Sequence, residues 1–522
     1  MIKLDDIRRH AANGATRDAL VDGQVRLTWS QFADSVERAV AGLAEQLPVQ
    51  GPARAVFLAG NTWQLAVAMS ACATLGVSCT GVDPALGPRA LGQVLDQLEP
   101  FAVFTASDRR AALEEARPTA AGTTLRVLLD GPATAPYVSF DRLTSAEPLR
   151  ELPAPLPYES FTVAADGAGE VRVAVRRTPS EGRHLVDLVD EFGLARTDVH
   201  LASAPPAQHV SLALTRTMLG IGATVVLADG ADAPALTALL AAERVTTGVV
   251  TPTTLQGLLG QPAAAGPLRF LLAPGAHLGR WAVDEAWERL GPVLHTALGS
   301  PETGLTAVLG PEELLVSPPR SGHATLGTTV AVLGEDGRPL PRGEAGRIAV
   351  AGHQVMDGYL HGEAEFTTLD LGAGEQRFLV TGERGLIDET GRTRLTGRTT
   401  PVPVEVRDSA VDTELFRLES DLLNLPCLRD TAVMRVGGGV LGDALVVPFI
   451  AVAVGREATG YQALSAACAR RVPSLPAHVI AVDTIPYSPT GRIRTADLLD
   501  AVLPIISLNL QLEQSMHQEM SA

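Results

Sequence analysis

The chain has 522 residues, 46% hydrophobic and 4% aromatic, and a formal net charge of −17. That is more than one compact core holds, so at least two domains are expected. The acidic balance argues against nucleic acid and anionic membrane surfaces as partners, since both demand a basic face.

Lys3 is the only lysine, so chemistry that depends on a central lysine is excluded. Cys72, Cys79, Cys427 and Cys468 show no metal spacing and are too few for a disulfide framework. With an N-terminus, MIKLDDIRRH, that lacks the pattern of a signal peptide, they fit a reduced, cytoplasmic setting. The uncharged stretch Val56 to Val82 carries Asn61, Gln64, Ser70 and Thr74. A membrane span is more uniformly apolar, so a buried helix and strand of a soluble core are expected there.

In chain order, residues 28–46 place Phe32, Val36, Ala39, Val40 and Leu43 at helical spacing behind a polar start. ARAVFLAG reads as a strand, WQLAVAMSACATLG as a helix and VSCTGVD as a strand. ALGQVLDQLEP and FAVFTAS repeat helix then strand. After residue 180 the alternation resumes: HLVDLVDEFGL, VHLAS, LALTRTMLGIG, ATVVLAD, ALTALLAAERV and TGVVTP. RFLLAPG and GPVLHTALG add two strand-to-loop junctions. Such alternation predicts parallel strands with crossover helices. From about residue 320, TTVAVLGEDGRPLPRGEAGRIAVAG and TRLTGR predict a small β-rich subdomain. TTPVPVEVRD, after Arg398, is broken by proline and reads as a hinge. Beyond it, AVDTELFRLESDLLNL, TAVMRVGG, ALVVPFIAVA, YQALSAACARRV and HVIAVDT predict an α+β domain of ordinary size. The expected division is 1–398 and 399–522.

The stretch TVAADGAGEVRVAVRRT (162–178) has glycines and a basic residue, as a phosphate-gripping loop does. Taken alone it reads first as strand–turn–strand. The order of several loops changes that. LTWSQFADSVERAVAGL, AADGAGEVR, APPAQH, APGAHL, LGSPETG, TGERG, LTGR and PYSPTGRIR together resemble the adenylate-forming (ANL) superfamily, which includes acyl-CoA synthetases, peptide-synthetase adenylation domains and luciferases. The resemblance covers nearly the whole chain. It implies an α/β fold: a large N-terminal domain with two mixed or parallel sheets wrapped by helices, a β-rich subdomain, and a smaller mobile C-terminal α+β lid. It also implies two half-reactions. An acid and ATP give an acyl-adenylate and pyrophosphate; a thiol, of coenzyme A or a carrier protein, then displaces AMP.

By the same resemblance, His209 lines the acyl pocket, and Gly275, Ala276 and His277 flank adenine. Leu298, Gly299, Ser300 and Pro301 form the loop along the nucleotide, and Glu302 holds Mg²⁺ if ATP binds. Glu383 and Arg398 hold the ribose of AMP, and Arg492 stands for the C-terminal lysine. Arg407, Arg470 and Arg471 are candidates for coenzyme A. Each has a plainer reading: a core histidine, a surface glutamate, a structural ion pair, solvated arginines. No resident metal is expected. The small residues around 204–213 and 273–278 suggest a roomy, apolar acyl pocket, suited to a bulky polycyclic acid.

The departures from the family pattern are specific. Where it has hydroxyls that wrap the β- and γ-phosphates, this chain has Ala164, Ala165, Gly167 and Ala168. Asp166 brings a charge of the wrong sign; Gly169 and Arg172 survive. Leu298 replaces an aromatic residue and Pro301 a threonine. Arg492 keeps the charge of a lysine but not its point geometry. The pattern is similar to that of non-adenylating acyl-CoA ligases of platensimycin- and platencin-type diterpenoid biosynthesis. It implies an enzyme that takes a preformed acyl-adenylate from a separate adenylating ligase and makes only the coenzyme A thioester, with Mg-ATP use in doubt. A complete ATP-dependent ligase and a catalytically dead scaffold are the alternatives.

Overall fold

The computed structural model describes residues 1–47, 52–83, 85–116, 124–132, 134–165, 171–177, 181–228, 230–262, 266–275, 278–316, 321–372, 374–398, 409–425, 428–438, 442–454, 478–487, 493–494 and 497–506. The periodic segments fold as the sequence predicts. Helix Trp29–Ala44 starts at a capping box, in which the Thr28 hydroxyl accepts from the Gln31 amide and the Gln31 side chain accepts from the Thr28 amide. The uncharged stretch forms strand Arg54–Leu58, helix Trp63–Leu75 and strand Ser78–Gly81. That helix is buried on almost every side. It ends at Gly76, whose φ of +73° needs glycine and where a Cβ would lie 2.2 Å from the Leu156 carbonyl oxygen. Among the described residues no helix is long and apolar enough to cross a membrane.

Two sheets carry the N-terminal part. One is parallel throughout, in the order Ser78–Gly81, Arg54–Leu58, Ala102–Thr105, Leu125–Leu128, Tyr137–Ser139. The other has 14 strands among the described residues. Its parallel centre runs Asp18–Asp22, Thr224–Leu227, Val199–Ala202, Thr247–Val249, Phe270–Pro274, Leu294–Ser300.

The expected β-rich segment is present as a set of antiparallel strands, joined to the large sheet by one strand. Strand Ser321–Ala324 pairs with Gly304–Leu309 on one side and Thr393–Arg398 on the other. Through it Glu375–Ile387, Gly346–Gly352 and Thr328–Leu333 extend the large sheet. A short antiparallel hairpin, Ser160–Ala165 and Val171–Arg176, is edged by Gly358–Tyr359.

In the C-terminal part, helix Ser409–Leu423 packs near Leu428–Gly438, which pairs with Gly442–Val454 and then His478–Val482. This part rests on the large one. The Gln256 amide and the Tyr487 hydroxyl donate to Asp430 over 3.0 and 2.8 Å. Burial pushes the Asp430 carboxyl up to about 6, against the lowering effect of those donors. The proline-broken hinge at 399–408, YQALSAACARRV and the C-terminal tail lie outside the described residues.

Candidate active site

His209, Gly275 and the turn at 298–302 follow the carboxyl ends of the parallel strands Val199–Ala202, Phe270–Pro274 and Leu294–Ser300, where ligands bind in open α/β sheets. Gly275 follows Phe270–Pro274 with φ +123°, and its amide donates to the Ala297 carbonyl. Nothing lies within 4 Å of where its side chain would be, so the backbone there is open to close approach. Ala276 and His277, next to it, lie outside the described residues.

Leu294–Ser300 delivers the second loop. Gly299 packs so closely on Gly304 that a Cβ would fall 2.0 Å from its carbonyl oxygen. The Ser300 hydroxyl accepts from the amides of Glu302 and Thr303, which tightens the turn 301–303. Leu298 faces away from this turn's backbone groups into an apolar cluster with Val332, Ile348, Val350 and Leu395.

The hairpin carries the stretch that resembles the family's phosphate loop. Ala164 pairs with Arg172, and Ala165 with Val171. Asp166, Gly167, Ala168 and Gly169 lie outside the described residues. Both strands are tied to the turn at 301–303. The Thr162 hydroxyl donates to the Pro301 carbonyl over 2.7 Å. Arg176 donates to the carbonyls of Pro301 (2.8 Å), Glu302 (3.3 Å) and Gln354 (2.5 Å), and to the Thr162 hydroxyl (3.1 Å). Burial lowers the Arg176 pKa to about 10, partly offset by Glu302 and Asp357.

Glu302 keeps a defined setting. The Tyr359 hydroxyl donates to its Oε1 over 3.1 Å, and the Arg172 guanidinium lies 5.4 Å from the centre of the Tyr359 ring. Burial first, and then Glu302, pushes the Tyr359 phenol up to about 12, so it stays protonated and donates.

Glu383 and Arg398 lie directly opposite each other in the register of adjacent antiparallel strands. They are fifteen positions apart in the sequence, and the strand register sets them opposite each other. Arg492, Arg407, Arg470 and Arg471 lie outside the described residues.

His209 opens helix His209–Gly220, whose N-terminus is capped by the Gln208 side chain. It lines a cavity of about 130 Å³. This is smaller than the roomy pocket suggested by the small residues of 204–213 and 273–278, though its lining is mostly apolar as expected. A space of this size holds about one benzene-sized group. Arg176, Arg216, His184 and His353 share its wall with His209. Sequence reading missed these four and Tyr359. A signal was present: His209, Leu212, Ala213 and Arg216 fall on one helical stripe, and Arg172, Ala174 and Arg176 on one strand face. Burial above all, with Arg216, His353, Arg176 and His209 adding to it, lowers the His184 pKa to about 3, so His184 is neutral.

The profile of the AMP-binding enzyme family matches residues 7–161 and 181–360, well over half of the chain. The chain belongs to the AMP-binding enzyme family. The match of this family member breaks over residues 162–180, which include Arg176. Its sequence is 24% identical over 512 residues to the indoleacetate–CoA ligase of Aromatoleum aromaticum, covering 95% of this chain and 97% of that one. It is 24% identical over 517 residues to 4-coumarate–CoA ligase 3 of Oryza sativa subsp. japonica, covering 94% and 90%. The benzoate CoA ligase of Burkholderia xenovorans LB400 has the same fold, with a TM-score of 0.75 at 19% identity over 95% of this chain and 99% of that one. So does the anthranilate CoA ligase AuaEII in complex with anthranoyl-AMP, with a TM-score of 0.77 at 18% identity over 95% and 96%.

Proposed function

We propose that this member of the AMP-binding family is an acyl-CoA ligase of the thioester-forming half-reaction, which receives its acyl-adenylate from a separate adenylating enzyme. The observation that carries this reading is differential loss. The hairpin keeps its place and its ties to the turn at 301–303, while the positions for phosphate hydroxyls hold Ala164, Ala165, Gly167 and Ala168, with Asp166 among them. The family match breaks over the same stretch. The opposed pair Glu383 and Arg398, suited to a ribose, is kept. Backbone and hydroxyl donors are what a leaving pyrophosphate needs; thioester formation releases AMP instead.

In this reaction the thiol sulfur bonds to the acyl carbonyl carbon and the bond from that carbon to the phosphate oxygen breaks. AMP leaves with the electron pair, and the thiol proton goes to solvent. AMP is a good leaving group, so the protein mainly orients the reactants. Glu383 and Arg398 hold the ribose, the loop 298–302 follows the phosphate, and His209 fixes the acyl end.

A complete ATP-dependent ligase is the second reading, and Glu302 favours it. Among the described residues no three metal-ligating side chains converge. A Mg²⁺ ion would therefore rest on Glu302 and the phosphates of ATP, as such ions commonly do.

The test gives the purified protein a synthetic acyl-adenylate with coenzyme A and, in parallel, the free acid with ATP, Mg²⁺ and coenzyme A. Thioester from the adenylate alone is the expected result. Thioester from both supports the second reading and overturns the first. No thioester from either points to a non-catalytic scaffold.

A further inference from the structure

Glu302 stands in the turn at 301–303, which the reading above gives to the phosphate of the adenylate. Its backbone is fixed on both sides. The amide donates to the Ser300 hydroxyl over 3.2 Å. The carbonyl accepts from the Met356 amide over 2.8 Å and from Arg176 over 3.3 Å. With the backbone held, the freedom that remains is that of the side-chain rotamer. A carboxylate that swings toward a phosphate repels it, and solvent screens this only in part.

Tyr359 removes that freedom. Its strand, Gly358–Tyr359, edges the hairpin, with Tyr359 opposite Ala174. On either side of the tyrosine, the Asp357 and Leu360 amides donate to the Val175 and Val173 carbonyls over 2.8 Å each. From this anchored strand the hydroxyl donates to Glu302 Oε1 over 3.1 Å, which draws the carboxylate toward the hairpin edge. The Arg172 guanidinium lies 5.4 Å from the centre of the tyrosine ring. Burial first, and then Glu302, pushes the phenol up to about 12, so it remains a donor at any pH well below that. A hydrogen bond donated to a carboxylate is charge-assisted and strong. Among the described residues no three ligating side chains converge, so a cation comes to Glu302 only with the phosphates of a nucleotide. ATP arrives with such a cation; an acyl-adenylate, with its single phosphate, brings none of its own.

Resting on the acyl-adenylate reading above, we propose that Tyr359 is a positioning residue. It holds the Glu302 carboxylate off the adenylate phosphate, so that the nucleotide binds beside this acid without Mg²⁺.

The experiment measures AMP binding by calorimetry, with Mg²⁺ and without it, at matched ionic strength so that screening is equal. The unaltered protein is expected to bind AMP alike in both. In Tyr359→Phe the affinity without Mg²⁺ falls about ten-fold, for one lost hydrogen bond to a charged group. Mg²⁺, which bridges carboxylate and phosphate, restores most of it. In Glu302→Gln, and in the double variant, AMP binds at least as tightly as to the unaltered protein, and Mg²⁺ changes nothing. A merely structural role for the tyrosine gives a loss that Mg²⁺ does not repair, and that result overturns the proposal. So does unchanged affinity in Tyr359→Phe, or a need for Mg²⁺ in the unaltered protein. If Tyr359→Phe does not fold, Glu302→Gln decides. Weaker AMP binding than in the unaltered protein overturns the proposal; equal or tighter binding, indifferent to Mg²⁺, upholds it. If AMP does not bind the unaltered protein at all, the proposal and the acyl-adenylate reading fall together. If thioester forms from the adenylate and Tyr359→Phe shows no Mg²⁺ effect, the proposal falls alone.

Discussion

Arg269 and Arg176 are both tied down at several points, in opposite ways. Arg269 meets a carboxylate: its Nε and one terminal nitrogen donate to Asp198 over 3.0 and 2.5 Å. Asp198 is 5% exposed and also accepts from the Ala195 amide and the Thr246 hydroxyl. This pair sits beside the amino ends of the parallel strands, away from the candidate site. Arg176 meets only carbonyls and a hydroxyl, at the carboxyl ends, on the wall of a cavity. A buried charge bonded to an opposite charge belongs to the framework, whereas one bonded to dipoles, with Glu302 and Asp357 acting on it without a bond, keeps more of its field for a ligand.

Breaking the framework pair has the largest expected effect on stability. Arg269→Ala leaves the Asp198 carboxylate without its partner; because the Arg269 side chain is 40% exposed and solvent screens the pair, the expected cost is about 1.5–3 kcal/mol in denaturant unfolding. Its pH signature sharpens the contrast. Burial pushes the Asp198 carboxyl up, but Arg269, Ala195 and Thr246 outweigh it and hold the group below its usual range. The stability it contributes is therefore complete above the ordinary aspartate value of about 3.9 and is lost as pH falls through the lower folded value. Arg269→Ala should flatten that acid limb.

Arg176→Met breaks the other side of the comparison. The turn at 301–303 loses its tether to the hairpin, and thioester formation from the acyl-adenylate is expected to drop about a hundred-fold, as for a misplaced reacting group. Steady-state kinetics on folded protein checks this; a drop in melting temperature with kinetics intact would make Arg176 a framework residue like Arg269. The smallest effect is that of Tyr359→Phe. Removing one donor to Glu302 costs about 1 kcal/mol, read by the same denaturant titration.

The helical and strand periodicities were legible because each depends on neighbours within a few residues. The capping box at Thr28, the buried helix Trp63–Leu75 and the alternating elements from Glu181 to Val249 all follow from local pattern. The loops at 273–278, 298–304, 381–385 and 395–398 were legible as motifs. Other features were not. The strands after residue 320 look self-contained in sequence, yet they join the large sheet through Ser321–Ala324, whose partners lie on both sides of it in the chain. The acyl pocket read as apolar because the residues near His209 are small; its arginines come from 33 residues before it and seven after.

The sequence by itself determined the element types and the family, because those are properties of residue identity and short-range order. Only the tertiary structure decided which face of Val171–Arg176 meets the turn at 301–303, and that Arg216 shares a cavity with His184 and His353. The direction of a side chain on a two-faced strand or a helical stripe gains meaning only from what packs against it. For the strand, the packing partner lies far away in the chain: Arg176 and Pro301 are 125 positions apart.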